Sequence, residues 1–139
     1  MWDRILIEEQ YKKTSFSKEW ELREALGSGL GISFLSDKKG KPSVIKYIPF
    51  KLEKEEAVQS LNNDFKMLSH LRHQYLLVPE EIEISFKHTD FGYIGHVFLR
   101  TEYIKISLYK YLQERSLSFE KTIEIVSQIA EAVNFLHKK

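Results

Sequence analysis

A glycine-rich stretch from Leu26 to Lys46 constrains the fold more strongly than any other part of the chain. It has glycines at positions 27, 29 and 31, a polar turn over 37–41, and a strand-like run that ends in Lys46. Glycine lacks a Cβ atom, so its backbone N–H groups can approach an anion such as phosphate closely. A lysine on the next strand can supply the positive charge that phosphate needs. The stretch therefore predicts either an anion-binding hairpin or an ordinary tight turn between strands.

Composition limits the chain to one globular core. It has 139 residues, of which 42% are hydrophobic and 29% charged, and this is enough for a single domain. The 21 basic and 20 acidic residues are interspersed and give a net charge of +1, which argues against a nucleic-acid or membrane partner. The chain has no cysteine and no apolar run of membrane-span length. We therefore expect a cytoplasmic protein.

The residue patterns predict an α+β fold with a five-stranded antiparallel sheet. Three strands are expected from Trp20 onward, and the third should end at Pro49 because proline cannot donate to a ladder. A helix from about Lys54 to Leu71 has apolar residues at three- and four-residue spacing. Two further strands are predicted over 81–86 and 96–103. Two helices follow, from Leu108 to about Gln113 and from an N-cap at Ser118 to His137.

Asp64 occupies an unusual position in the predicted helix. It lies three residues after Leu61 and four before Leu68, so its side chain points towards the side of the apolar stripe. A carboxylate that is desolvated there without a partner would be costly, and Lys46 on the neighbouring strand is the obvious cation. The alternative is that Asp64 lies at the margin of the stripe, in water.

From about Trp20 to its end, the chain resembles the N-terminal lobe of a protein kinase followed by the first two helices of the C-terminal lobe. Five landmarks carry this resemblance. They are Leu26-Gly27-Ser28-Gly29, which is similar to the opening of the family's Gly-rich loop; Val44-Ile45-Lys46, similar to its Val-Ala-Ile-Lys strand; Asp64, at the place of the glutamate of helix C; Thr101-Glu102-Tyr103-Ile104-Lys105, similar to the gatekeeper and hinge; and Ser107-Leu108-Tyr109-Lys110-Tyr111-Leu112, similar to the first C-lobe helix.

The resemblance implies a division of the chain and a ligand. It implies an N-terminal extension over 1–19, a kinase-like N-lobe with hinge over 20–104, and the start of a C-lobe over 105–139. The implied ligand is ATP, with Gly27, Ser28 and Gly29 over its phosphates. Lys46 would bind the α- and β-phosphates and Asp64 would hold Lys46 in place. The other implied contacts are a purine slot formed by Leu26, Phe34, Val44 and Thr101, and hinge backbone groups of Glu102 and Ile104.

The sequence also departs from the family pattern. Ile32 stands at the place of the third glycine and Gly31 at that of the loop-tip aromatic, while Phe34 replaces a valine and Val44 an alanine. Both replacements would narrow the purine slot, although a one-residue bulge in the second strand would turn Phe34 to the other face. The family's catalytic loop and metal-binding Asp-Phe-Gly follow the long helix, so no catalytic residue is expected within this chain. Magnesium is implied only for the complete kinase.

A literal Asp90-Phe91-Gly92 occurs before the hinge. It lies between two predicted antiparallel strands, where Asp and Gly commonly form turns, so we interpret it as a turn.

Three functions remain open. The first is the ATP-binding portion of a protein Ser/Thr kinase, inactive as this chain alone, which acts on a protein substrate in the complete protein. The second is a pseudokinase-like interaction module for a partner protein, with weak or no nucleotide binding. The third is an unrelated α+β binding domain. The apolar stripe of the last helix should lack some of the helices that bury it in complete kinases. This predicts self-association, folding back of the helix onto the N-lobe, or poor solubility.

A hydroxyl-rich segment precedes the first strand. Thr14, Ser15 and Ser17 lie beside Lys12, Lys13 and Lys18. These hydroxyls could accept phosphate, as could those of any exposed serine-rich linker.

Overall fold

The chain forms an α+β structure with an open, five-stranded antiparallel sheet. The computed structural model describes residues 3–138, so the ends of the predicted first and last segments, 1–2 and 139, lie outside the described residues. The strands are β1 (Glu21–Ser28), β2 (Ile32–Lys38), β3 (Lys41–Leu52), β4 (Glu81–Thr89) and β5 (Gly92–Glu102). Their order in the sheet is β1-β2-β3-β5-β4. The α+β class and the five-stranded antiparallel sheet are confirmed.

The part of the chain from 3 to 138 contains four α-helices and one short 3-10 helix. They are α1 (Arg4–Tyr11), the 3-10 helix (Ser15–Lys18), α2 (Glu55–His70), α3 (Leu108–Glu114) and α4 (Phe119–His137). The hydroxyl of Ser118 accepts a hydrogen bond from the Lys121 N–H and caps α4, which confirms the predicted N-cap. Ser107 caps α3 in the same way through Lys110.

The described residues fall into two compact units. The sheet unit comprises 3–70 and 78–103, and the helical unit comprises 71–77 and 104–138. Within the helical unit the ring of His73 lies 4.9 Å from that of Phe135 on α4, which ties the 71–77 segment to that helix.

Different elements pack on the two faces of the sheet. One face, which we call the α1 face, carries Phe34, Ile45, Tyr47 and Phe98, all buried. The segment before β1 packs on it through Ile7, Tyr11, Phe16 and Trp20. Residues 1–19 were expected to form an N-terminal extension, whereas residues within 3–19 contribute to the hydrophobic core. The aromatic side chains of this segment reach the core because α1 and the 3-10 helix pack over the strands.

The opposite face, the α2 face, carries Lys46 and Leu99, which lie opposite each other on β3 and β5. Helix α2 lies on this side, because the ring of Phe65 lies 6.1 Å from that of Phe50 in edge-to-face geometry. Phe50 follows Lys46 by four residues on the same strand and therefore shares its face. Along β3, Ser43, Ile45 and Tyr47 are buried, whereas Val44, Lys46 and Ile48 are half-buried.

Three details of the strands differ from the predictions. Strand β3 continues through Pro49, which pairs with His96 of β5. Because β2 ends opposite Tyr47, β3 has an edge from Ile48 onward, where a residue without an N–H group is tolerated. Strands β4 and β5 run further than expected and meet at a two-residue turn, Asp90-Phe91. The irregularities of the hairpin lie in β1, around residues 23–26, and not in β2.

Candidate functional site

A row of residues on the α2 face joins the glycine hairpin to the lysine. Gly27 of β1 pairs with Ser33 of β2, and Ser33 pairs with Lys46 of β3. Residues that are directly opposite in an antiparallel sheet share a face, and neighbouring strands lie about 4.8 Å apart. The backbone of Gly27 is thus two strands, roughly 10 Å, from that of Lys46.

The three hairpin glycines have different environments. A Cβ atom at Gly27 or Gly29 would meet nothing within 4 Å, so the backbone there is open to a ligand. The N–H of Gly29 donates to the carbonyl oxygen of Gly31 (2.8 Å). A Cβ atom at Gly31 would overlap the carbonyl oxygen of Tyr47. Gly31 therefore allows the hairpin to lie close against β3.

A second row on the α2 face is largely apolar. Leu35 pairs with Val44, and Val44 pairs with Thr101; all three are half-buried. Val44 and Thr101 were predicted to line a purine slot, and they do lie side by side next to Lys46. Leu35 was missed. The signal that could have found it is the two-residue turn Lys39-Gly40, whose positive φ angles of 51° and 88° define a tight hairpin and hence its register.

Phe34 was predicted to line the same slot, but it does not. It pairs with Ile45 on the α1 face, is 1% exposed and belongs to the aromatic core. The guanidinium carbon of Arg4 on α1 lies 5.2 Å from the centre of its ring. The register of β2 against β3 is continuous, so the residue before Leu35 must face away from Lys46.

Lys46 and Asp64 do not form the expected ion pair. Lys46 is half-buried on the side of the sheet where α2 lies, whereas Asp64 is exposed on α2. Within residues 3–138, neither side chain has an oppositely charged atom within 4.0 Å. The residues of α2 nearest the sheet include Val58, which is buried, and Phe65. Asp64 therefore lies at the margin of the stripe, in water, as the alternative interpretation held.

The remaining predicted site residues lie at the ends of strands or beyond them. Leu26 is 47% exposed and lies where the β1–β2 register shifts between Ala25 and Gly27, while Ser28 pairs with Ile32. Glu102 is exposed at the end of β5, opposite Ser43. The β4–β5 ladder ends at Arg100, so Thr101 and Glu102 have no strand partner on that edge. Ile104, 53% exposed, belongs to the helical unit.

The literal Asp-Phe-Gly sequence is part of the β4–β5 turn. Gly92 has a φ of +116°, which favours glycine. The Thr89 hydroxyl donates to the carbonyl oxygen of Gly92 (2.9 Å) and accepts from the N–H of Phe91 (3.2 Å). The interpretation of this sequence as a turn is confirmed.

The α1 face contains the perturbed titratable groups of the sheet unit. Burial raises the pKa of Tyr11 well above its usual range. The charge of Glu81 raises this pKa further, and the charge of Arg100 partly lowers it. Burial also raises the pKa of Tyr47. The Tyr47 hydroxyl and His96 Nδ1 are hydrogen-bonded at 2.7 Å, and burial, followed by the charge of Lys13, lowers the pKa of His96.

Arg100 is a buried cation on the same face. Burial lowers its pKa, but hydrogen bonding and charge from Glu81 and Glu80 raise it by more. Its Nε donates to Glu81 (2.8 Å) and its Nη1 pairs with Glu80 (2.9 Å). The Arg100 guanidinium is thus paired with two carboxylates on the face of the sheet opposite Lys46. It does not contribute to the candidate site.

Comparison with known proteins adds no relative, since neither a protein-family model nor a curated protein matches the chain. None of the helices described within 3–138 is long and apolar enough to cross a membrane.

Proposed function

We propose that the chain binds ATP on the α2 face of its sheet, as the nucleotide-binding part of a protein Ser/Thr kinase. One observation carries this proposal: Gly27, Ser33 and Lys46 form a continuous row on one face of the sheet. In this row, open backbone at Gly27 lies within reach of a half-buried cation. Phosphate is the anion that such a combination suits best.

The apolar row beside Lys46 supports a purine on the same face. Leu35, Val44 and Thr101 offer a half-buried surface with only one hydroxyl, the lining expected for a flat heterocycle. Glu102 follows the end of the β4–β5 ladder, so its backbone groups at that edge can pair with a base. The sequence of strands, with α2 between β3 and β4 and on the Lys46 side, further supports a kinase-like lobe.

These residues fit the groups of ATP as follows. Gly27 and Gly29 would accommodate the phosphates, Lys46 would neutralise the α- and β-phosphates, and Leu35 and Val44 would cover the purine. ATP would supply the phosphoryl group for transfer in the complete protein. The work of this chain is to bind and orient the nucleotide.

A pseudokinase-like interaction module is the second candidate. The observation that favours it is the exposure of Asp64, which leaves Lys46 without the acidic partner that the resemblance implies. In this alternative the lobe binds a protein partner, and its affinity for nucleotide is weak or absent.

Thermal unfolding with nucleotide tests the proposal. ATP and ADP, each with and without Mg²⁺, should raise the Tm of the chain, since a ligand at 100 times its Kd stabilises the folded state by about 2.7 kcal/mol. Lys46→Met should abolish this shift. Lys51→Met is the matched control, because Lys51 is exposed further along the same strand, and it should retain the shift.

Two further outcomes separate the candidates. An Asp64→Asn variant that loses the shift would show that Asp64 joins Lys46 when nucleotide binds, as in a kinase. An unchanged shift in that variant would show nucleotide binding without the pair. If the parent chain shows no shift at millimolar nucleotide, the ATP-binding proposal is wrong and the interaction module is favoured.

A further inference from the structure

One hydroxyl in the segment between α1 and β1 is accessible. Thr14 is 6% exposed, and its hydroxyl donates to the carbonyl oxygen of Tyr11 (2.7 Å). The hydroxyl of Ser17, which is half-buried, donates to the carbonyl oxygen of Thr14 (2.8 Å). Ser15 is exposed, and its hydroxyl points away from this local network to another element of the fold.

Ser15 fastens the segment to the edge strand β4. Its backbone N–H donates to Glu83 Oε1 (2.7 Å), and its hydroxyl donates to the same carboxylate oxygen. Hydrogen bonds to an ionised acceptor are stronger than bonds between neutral groups. The next residue, Phe16, is 4% exposed in the aromatic core. The contact with Glu83 thus holds the chain at the point where it enters the core.

We propose that Ser15 is a phosphorylation site for a separate protein kinase that selects basic residues before its target, and that the phosphate releases this segment from β4. Lys12 and Lys13 stand three and two residues before Ser15. Two positive charges at these positions complement an acidic substrate-binding surface. This inference concerns the α1 face and does not depend on nucleotide binding at Lys46.

The modification requires a nucleoside triphosphate as co-substrate. Ser15 Oγ attacks the γ-phosphorus and forms a new O–P bond, while the bond from that phosphorus to the β,γ-bridging oxygen breaks. The nucleoside diphosphate leaves, and the hydroxyl proton passes to the base of the modifying kinase. The 3-10 helix has four residues, and it must open, with Phe16 leaving the core, for Ser15 to enter an extended peptide site.

The negative charge of phosphoserine disrupts the hydrogen bonds between Ser15 and Glu83. A phosphoserine carries about −1.5 to −2 charges at neutral pH and has lost the hydroxyl donor. It would lie against the carboxylate of Glu83, where like charges repel. The segment that carries Phe16 therefore loses its attachment to β4.

Direct phosphorylation of the full chain tests the site. The chain is incubated with the purified catalytic domain of a basophilic Ser/Thr kinase and Mg-ATP, and the modified residue is identified by peptide mass spectrometry. One phosphate on Ser15 is expected, together with no uptake by Ser15→Ala. Phosphate on Thr14 or Ser17 instead, or no uptake by the parent chain, would overturn the assignment.

Hydrogen exchange of the phosphorylated parent chain tests the release. Amides over 7–20 should exchange roughly tenfold faster after phosphorylation, as in a segment that opens locally, and the Tm should fall by about 3–6 °C. Ser15→Glu should reproduce both effects in part, and a second change, Glu83→Lys, should reverse them by replacing repulsion with attraction. Unchanged exchange in the phosphorylated chain, or no reversal by Glu83→Lys, would overturn the release.

Discussion

The guanidinium carbon of Arg100 lies 4.4 Å from the centre of the Trp20 ring. The same side chain binds Glu80 and Glu81 and contacts the Ser43 hydroxyl at 3.4 Å. We expect Arg100→Ala to lower the free energy of unfolding by about 2–3 kcal/mol, because it removes a cation–π contact and a set of charge-assisted hydrogen bonds.

Urea denaturation measures this effect, and Arg23→Ala is the control. The side chain of Arg23 is 50% exposed, and its ion pairs are 3.5 and 3.7 Å long, so its loss should cost less than about 1 kcal/mol. Equal costs for the two variants would show that burial and the Trp20 contact add nothing at Arg100.

Gly31 should tolerate no side chain, in contrast to Gly27. Gly31→Ala places a methyl group on the carbonyl oxygen of Tyr47, and we expect it to destabilise the chain by about 2 kcal/mol or more through strain at β3. Gly27→Ala has open space and should change stability by less than about 1 kcal/mol. Thermal unfolding of both variants decides the point. An unaffected Gly31→Ala would mean that the hairpin is not held by this contact.

Tyr11 should make the chain sensitive to alkali. Its pKa is raised in the folded state, so above about pH 10 the unfolded chain loses a proton that the folded chain retains. The stabilisation is complete below pH 10 and falls as pH rises, by about 1.4 kcal/mol per pH unit. The pKa of Tyr47 is also raised in the folded state, so its ionisation lowers stability at high pH in the same way.

Tyr11→Phe should reduce this dependence while costing about 1 kcal/mol at neutral pH, since the hydroxyl of Tyr11 donates to the Trp20 carbonyl oxygen at 2.6 Å. Urea denaturation between pH 8 and 11 is the measurement. Tyr109→Phe, at a residue that is 72% exposed, should leave the slope unchanged. A parent slope identical to that of Tyr11→Phe would contradict the prediction.

His96 should contribute to acid sensitivity. Its pKa is lowered in the folded state, so as pH falls below about 6.5 the unfolded chain binds a proton that the folded chain resists. The stabilisation is present above pH 6.5 and is lost as pH falls. His96→Asn keeps a polar atom near the Tyr47 hydroxyl and should flatten the curve of stability between pH 6.5 and 5. His70→Asn, at the exposed end of α2, serves as the control and should keep the parent curve.

The apolar stripe of α4 is exposed, with Ile123 at 51%, Val126 at 58% and Val133 at 42%. We expect concentration-dependent self-association, because apolar patches of this kind bind one another in water. Sedimentation velocity should show weaker association for Val126→Lys. Glu131→Lys, also exposed on α4, should associate like the parent chain. A parent chain that stays monomeric at every concentration would contradict the prediction.

From β1 onward, local patterns in the sequence were sufficient for the class and order of the elements. The three- and four-residue spacing predicted α2, the alternation after Glu81 predicted β4, and a hydroxyl before an apolar run located the start of α4 at Ser118. Each of these signals depends on residues close in sequence, so the tertiary structure did not have to be known.

The errors arose where contacts distant in sequence decide the outcome. Phe34 faces the core because β2 pairs with β3 in a register set by the turn at Lys39-Gly40. The sequence predicted a polar turn over 37–41 but did not establish which two residues form it. Asp64 lies in water because α2 turns Val58 and Phe65 towards the sheet. The segment before β1 was assigned no structure because its four core residues, Ile7, Tyr11, Phe16 and Trp20, are spread over two short helices and the residues around them, and neither helix is long enough to show a repeating apolar pattern.

The alternation of β3 has a consequence for how the chain can change. Ile45 and Tyr47 pack in the core on the α1 face, while Val44 and Lys46 lie half-buried on the α2 face. All four are successive residues of one strand. Under the proposed function, substitutions at 44 or 46 would change the nucleotide preference without disturbing the hydrophobic contacts at 45 and 47. Nucleotide selectivity and foldability would then depend on alternate positions of a single strand.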